Sequence, residues 1–265
     1  MTMIVSTVIV LAVVGLLMGL MLVSASEKFK VEVDPRETAV RECLPGNNCG
    51  ACGYAGCDAL AAAIASGAAP VNGCPVGGAA VGDRIAEVMG VAAGAELEKK
   101  TAFIRCAGTC DTHPPKCTYI GIETCEAAMT LPGKGIKACT YGCLGYGSCA
   151  SACQFGAIQI ADGLAKVDRS KCVACGKCVS ACPQKLIEIV PDQTAVYAVQ
   201  CSNKEKGVFV KQLCAAGCIG CGLCVRQCEH DAVTLTNNVA HIDYDKCVGC
   251  GKCAEKCPVK IIRTR

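Results

Sequence analysis

The residues in this sequence with the plainest chemistry are its cysteines. Cys247, Cys250, Cys253 and Cys257 stand at C-x2-C-x2-C-x3-C spacing with Pro258 behind them, and Cys218, Cys221, Cys224 and Cys228 form a second such run. Thiolates at this spacing suit [4Fe–4S] cubanes, and in the two-cluster bacterial arrangement the fourth cysteine of each run ligates the other cluster. A compact loop supplies three corners of a cubane, and the fourth ligand ties the two halves together. Cys218, Cys221, Cys224 and Cys257 are therefore expected to bind one cluster, and Cys228, Cys247, Cys250 and Cys253 the next.

The same module stands once before, at an offset of 75 residues. Cys172, Cys175, Cys178, Cys182 and Pro183 map onto the last run, while Cys139, Cys143, Cys149 and Cys153 map onto Cys214, Cys218, Cys224 and Cys228. Ala157-Ile158, Val167-Asp168 and Lys171 keep register with Ala232-Val233, Ile242-Asp243 and Lys246. Register held over so many positions marks a duplicated unit. The first copy departs at Tyr146, which stands where the second has Cys221. Cys139, four residues before Cys143, is expected to replace the lost ligand. One cluster is then assigned to Cys139, Cys143, Cys149 and Cys182, and another to Cys153, Cys172, Cys175 and Cys178.

A separate group lies nearer the N-terminus: Cys49, Cys52, Cys57 and, before Pro75, Cys74. Asn47, Asn48, Gly50 and Gly53 surround it and imply a tight loop whose amides face sulfur. With the modules this makes five clusters. Seven cysteines remain: Cys43, Cys106, Cys110, Cys117, Cys125, Cys201 and Cys214. A sixth cluster on Cys106, Cys125, Cys201 and Cys214 is the first expectation. A local set of Cys106, Cys110, Cys117 and Cys125 competes with it, as do inert buried thiols.

Disulfides and zinc are the other uses of cysteine. Dense C-x-x-C runs suit clusters or zinc, and thiolate ligands need a reducing compartment where disulfides seldom persist. Four-cysteine zinc sites use paired knuckles and need neither a triple run nor a Cys-Pro ending. For the Cys49 group the spacing discriminates less.

The elements that position these ligands are small. The chain has 265 residues with 27 cysteines, 29 glycines, four Phe and no Trp, so metal sites must supply what a thin apolar core does not. The expected class is α+β, cluster-stabilised, with one N-terminal transmembrane helix, a small Fe–S domain and tandem 2[4Fe–4S] ferredoxin-like modules. The divisions are a membrane anchor over 1–26, a four-cysteine domain over 27–76 and a helical linker over 77–100. A cysteine-containing connector follows over 101–138, then module 1 over 139–190, a connector over 191–213 and module 2 over 214–265. Residues 24–42 read as a polar tether, and Asp58 to Ser66 as a short helix ended by Gly67.

Ile4 to Val23 carries no charge, and Glu27 is the first charged residue. Twenty residues at about 1.5 Å each match a bilayer core of about 30 Å. A signal peptide is the competing reading, but no positive region precedes the apolar run. Lys28 and Lys30 follow it, which places the cluster-bearing part in the cytoplasm by the positive-inside rule.

A net charge of +3 gives no support to nucleic-acid binding. No dinucleotide fingerprint, P-loop or nucleophile elbow is present, and His113, His230 and His241 are scattered. The chain is therefore expected to carry no flavin or NAD site of its own.

The Leu44-Pro-Gly-Asn-Asn-Cys-Gly-Ala-Cys-Gly-Tyr-Ala-Gly-Cys57 loop closed by Cys74-Pro75, between an apolar helix and tandem ferredoxin modules, closely resembles the B subunit of the Rnf complex. The resemblance covers essentially the whole chain and matches the long form with two modules. It implies an electron-transfer subunit of a membrane-bound ferredoxin:NAD oxidoreductase coupled to Na+ or H+ export. Soluble ferredoxin would be the donor, and flavin and NAD sites would belong to partner subunits. A membrane-tethered polyferredoxin that reduces a regulatory or biosynthetic Fe–S protein without ion pumping is the alternative.

Overall fold

Apolar side chains that find no partner declare themselves first. In this computed structural model, which describes residues 2–28, 34–92, 98–113, 115–192 and 197–264, α1 (Thr2–Lys28) is followed by no element that covers it. Every side chain from Leu11 to Val23 is exposed. Among the described residues no helix is long and apolar enough to cross a membrane. Lys30 and Arg265 lie outside the described residues.

Residues expected as a tether are partly helical. Asp34 accepts from Arg36 N at 2.9 Å and Pro35 takes the first turn, so α2 (Pro35–Cys43) starts with a cap and a fixed φ. Helix α3 (Cys57–Ala65) stops where Gly67 turns left-handed. Helix α4 (Gly78–Met89) stops at left-handed Gly90. Val81 and Ile85 of α4 pack with Val40, Leu60 and Ile64 around Cys57 and Cys74. The helix read as a linker over 77–100 thus belongs to the core of the four-cysteine domain, because its apolar stripe needs cover.

The first repeat opens with β1 (Lys100–Ile104), earlier than the cysteine spacing implied. It continues through α5 (Cys125–Ala128), α6 (Ser148–Ser151), β2 (Ile158–Ala161), β3 (Leu164–Val167), α7 (Lys177–Ala181) and β4 (Ile187–Pro191). Strand β1 pairs antiparallel with β4, and β2 with β3. The second repeat runs β5 (Tyr197–Val199), α8 (Gly207–Leu213), α9 (Leu223–Gln227), β6 (Val233–Thr236), β7 (Val239–Ile242), α10 (Lys252–Glu255) and β8 (Ile262–Thr264). Here β5 pairs with β8 and β6 with β7.

Each inner hairpin closes on two residues of positive φ, Asp162-Gly163 in one and Asn237-Asn238 in the other, as a two-residue turn between twisted strands requires. Gly145 and Gly220 press on these turns. A Cβ would sit 2.5 Å from the Gly163 carbonyl oxygen in one repeat and 2.8 Å from that of Asn238 in the other.

The repeats differ in one place. Between the cysteine that follows the edge strand and the one that opens the run, the first repeat has residues 107–138 and the second only 202–213, twenty residues fewer. The longer segment is fastened to the hairpin turn, with Cys110 N donating to the Asp162 carbonyl at 3.0 Å and Lys137 Nζ to the Gly163 carbonyl at 2.7 Å. The two repeats also join directly. Tyr244 donates to Glu188 Oε1 at 2.6 Å, Ser202 Oγ to the Arg105 carbonyl at 3.0 Å, and Ala215 N to the Thr112 carbonyl at 3.2 Å.

Candidate iron–sulfur sites

A four-thiolate site needs cysteines presented from both a loop and a helix. In the second repeat Gly222, left-handed, turns the chain after Cys221 so that Cys224 enters from α9. Cys218, Cys221, Cys224 and Cys257 line one cavity of about 340 Å3, walled by Ile219 and Leu235. Gly251 does the same for Cys253 on α10, which has Cys247 and Cys250 beside it, and Cys228 packs on the same apolar cluster. In the first repeat Cys153, Cys172, Cys175 and Cys178 line a cavity of about 320 Å3. Two of these groups thus share one cavity each, and the third brings Cys247 and Cys250 beside Cys253.

The remaining site of the first repeat is built differently. Its cavity, about 380 Å3, is lined by Cys143, Cys149, Cys182 and Cys125. Cys125 comes from α5 in the long segment. Its amide donates to Ser148 Oγ at 3.0 Å, and that hydroxyl donates to Glu126 Oε2 at 2.6 Å, so α5 is pinned to α6 directly beside Cys149. Cys139, expected here, lies elsewhere. It lines a cavity of about 330 Å3 together with Cys106, Cys201 and Cys214. The structure therefore exchanges Cys125 and Cys139 between the two groups as read from spacing. Four residues of separation put Cys139 near Cys143 in sequence, but the long segment folds back over the module and delivers Cys125 to the corner that Tyr146 leaves open.

In the N-terminal domain, Asn48, Gly50 and Gly53 take positive φ and fold the loop back. Asn48 Oδ1 accepts from Cys57 N at 2.8 Å, and Gly77 N donates to Cys74 Sγ at 3.4 Å. Cys57 and Cys52 lie close to Cys74, with Cys49 on the same loop.

Burial raises the thiols that are to become ligands. It pushes Cys149 up to about 12, with Cys143, Cys125 and Cys182 adding to the effect, and Cys178, Cys224 and Cys253 to about 11. Neutral thiols inside apolar walls want a cationic body to receive them, and binding one would release their protons. Backbone donors already aim at several sulfurs. Ala102 N reaches Cys172 Sγ at 3.3 Å and Leu186 N reaches Cys182 Sγ at 3.5 Å. Amide donors of this kind stabilise ligating thiolate and tune cluster potential.

The donor sets fit [4Fe–4S] clusters. A zinc ion needs each sulfur about 2.3 Å from one centre. Sulfurs set around a cavity leave room for a body with four corners. Of the histidines, buried His113 accepts from Cys139 N at 2.7 Å through Nε2, so that nitrogen is committed to the backbone. Burial, with Lys137 adding, lowers His113 to about 4 and keeps it neutral. Cys110 and Cys117 are exposed, and Cys43 packs in the core of the N-terminal domain.

Comparison with known proteins finds Fe–S domains over three of these regions. An "Fe-S cluster" family model matches residues 44–76, a "4Fe-4S binding domain" model residues 165–188, and a "4Fe-4S dicluster domain" model residues 212–264. The chain is 48% identical over 238 residues to the B subunit of the Na(+)-translocating ferredoxin:NAD(+) oxidoreductase complex of Acetobacterium woodii, covering 89% of this chain and 71% of the relative. It is 42% identical over 262 residues to the B subunit of the ion-translocating oxidoreductase complex of Methanosarcina acetivorans, covering 98% of each. The B subunit of a proton-translocating ferredoxin:NAD(+) oxidoreductase complex from Clostridium ljungdahlii is 40% identical over 237 residues, covering 89% of this chain and 82% of the relative.

Proposed function

We propose that this chain, which belongs to the B-subunit family of ion-translocating ferredoxin:NAD(+) oxidoreductase complexes, takes electrons from reduced ferredoxin at its second module and relays them towards partner subunits through its N-terminal Fe–S domain. When bound, [4Fe–4S] clusters supply the one-electron carriers. The chain supplies thiolates to hold them, amide donors to set their potentials and apolar walls to exclude water. The five sets we assign are Cys49, Cys52, Cys57 and Cys74; Cys125, Cys143, Cys149 and Cys182; Cys153, Cys172, Cys175 and Cys178; Cys218, Cys221, Cys224 and Cys257; and Cys228, Cys247, Cys250 and Cys253.

The observation that carries the direction is ligand exposure. Cys221 and Cys250 of the second module are exposed, whereas every assigned ligand of the first is buried or half-buried. Electron exchange with a soluble donor needs a site near the surface, and a protected relay needs the opposite. Helix α1 is proposed as the anchor. Its 27 residues reach about 40 Å at 1.5 Å each, and Lys28 at its end favours a cytoplasmic body. The relatives include both Na+ and proton translocators, so the coupling ion is not fixed by kinship.

Anaerobic purification of the full chain, with iron and acid-labile sulfide counted, tests the reading. At least about 20 irons per chain are expected at four per cluster. Reduced ferredoxin should then bring up cluster EPR signals. A chain that holds mainly zinc overturns the proposal.

A further inference from the structure

The four cysteines that the five sets leave at the junction of the repeats are related by the duplication itself. Cys106 and Cys201 follow the edge strands β1 and β5, and Cys139 and Cys214 open the two cysteine runs. Each repeat thus gives two cysteines from equivalent positions to one cavity, and neither repeat can complete that cavity alone.

We propose that Cys106, Cys139, Cys201 and Cys214 ligate a sixth [4Fe–4S] cluster, and that this junction site connects the cluster chain of one module to that of the other. The inference deepens the relay reading and rests on it. Four cysteines line this cavity, as four line each of those at the Cys125, Cys153 and Cys218 sites. Donors are in place around it. Buried Asn203 gives Nδ2–H to Cys139 Sγ at 3.4 Å, and Gly108 N donates to Cys106 Sγ at 3.4 Å. Gln200 lines the same cavity, and among the described residues its Oε1 is the one buried side-chain polar atom without a hydrogen-bond partner. A half-turn of that amide would present Nε2–H to a sulfide filling the cavity.

The connection is read from two amides. Cys143 N donates to Cys106 Sγ at 3.4 Å, and Cys218 N donates to Cys201 Sγ at 3.3 Å. Cys143 and Cys218 are ligands of the neighbouring sites, one in each module, so the junction site sits directly between the two. One electron would arrive from one side and one leave to the other, with no bond made or broken.

The test uses the full chain. With the junction site filled, the parent should hold about 24 irons, and Cys201→Ser/Cys214→Ser about 20, with the other cluster signals retained. On sub-stoichiometric reduced ferredoxin, rapid-freeze EPR should show module 2 reduced at the parent rate and module 1 more slowly. A parent with about 20 irons that the double variant leaves unchanged would sink the sixth site while sparing the five-cluster reading. Equal reduction rates of module 1 in parent and variant would sink the connecting role. Should the double variant not fold, Asn203→Leu takes its place. It removes a sulfur donor, so all irons should stay while one cluster potential falls, and unchanged potentials count against the site.

Discussion

In the second repeat Cys221 closes the Cys218 site from an exposed loop. In the first, Tyr146 occupies that position and packs edge-on against Tyr119 with ring centroids 5.7 Å apart. Tyr146 also lies against Cys125 and Leu144, so the ring that removed one ligand now supports its replacement. Cys125→Ala should therefore cost one cluster or open one corner of it, lowering iron by one to about four per chain. Adding Tyr146→Cys should restore the lost iron, because the loop there follows the same path as the one that carries Cys221. An iron content that stays low in Cys125→Ala/Tyr146→Cys, or never falls in Cys125→Ala, would refute the exchange. Cys139 shows why spacing misled at this one corner. Proximity along the chain favours a local ligand, but the fold is free to bring one from a segment that the repeat register does not cover.

At the scale of elements, the ligand runs, the duplication and the helix after Cys57 were legible in sequence, since each is a local pattern of spacing. Strands β1 and β5 were not, because a short edge strand has no periodicity of its own and forms only when its partner, β4 or β8, is present. The place of α4 in the N-terminal core was hidden for a similar reason: an apolar stripe reveals that it will be covered, not by what. The glycines tie the duplication to packing. Gly145 and Gly220 combine positive φ with a neighbour too close for a Cβ, in the same place in each repeat. Gly145→Ala and Gly220→Ala should each destabilise their own module by about 1–3 kcal/mol. The check is the rate of cluster bleaching in mild chaotrope. Gly145→Ala should accelerate loss from module 1 and Gly220→Ala from module 2, whereas Gly156→Ala, with positive φ but open space, should do less.

At the scale of the whole molecule, the question is where a soluble donor meets the chain. In sequence, Lys252, Lys256, Lys260, Arg263 and Arg265 lie within and just after the last cysteine run. Lys252 is already paired with Glu229, and Arg265 lies outside the described residues. That leaves Lys256, Lys260 and Arg263, all exposed, on the segment around Cys257, in the module whose ligands Cys221 and Cys250 are also exposed. Val248, between Cys247 and Cys250, is 60% exposed. Soluble ferredoxins are generally acidic, and a complementary patch speeds encounter far more than it tightens the final complex. Charge reversal by Lys256→Glu/Lys260→Glu/Arg263→Glu should therefore slow reduction by ferredoxin at low salt. The deficit should shrink as ionic strength rises and the Debye length falls towards about 8 Å near 0.15 M. Lys252→Glu should do less than the triple change, since it reverses one charge and not three. Dithionite, a small reductant that needs no docking surface, should reduce all variants alike. Stopped-flow traces that show an unaltered ferredoxin rate at low salt in the triple variant would move the docking site away from the last cluster. Equal slowing at low and high salt would mean that the changes disturbed the site itself and not the encounter.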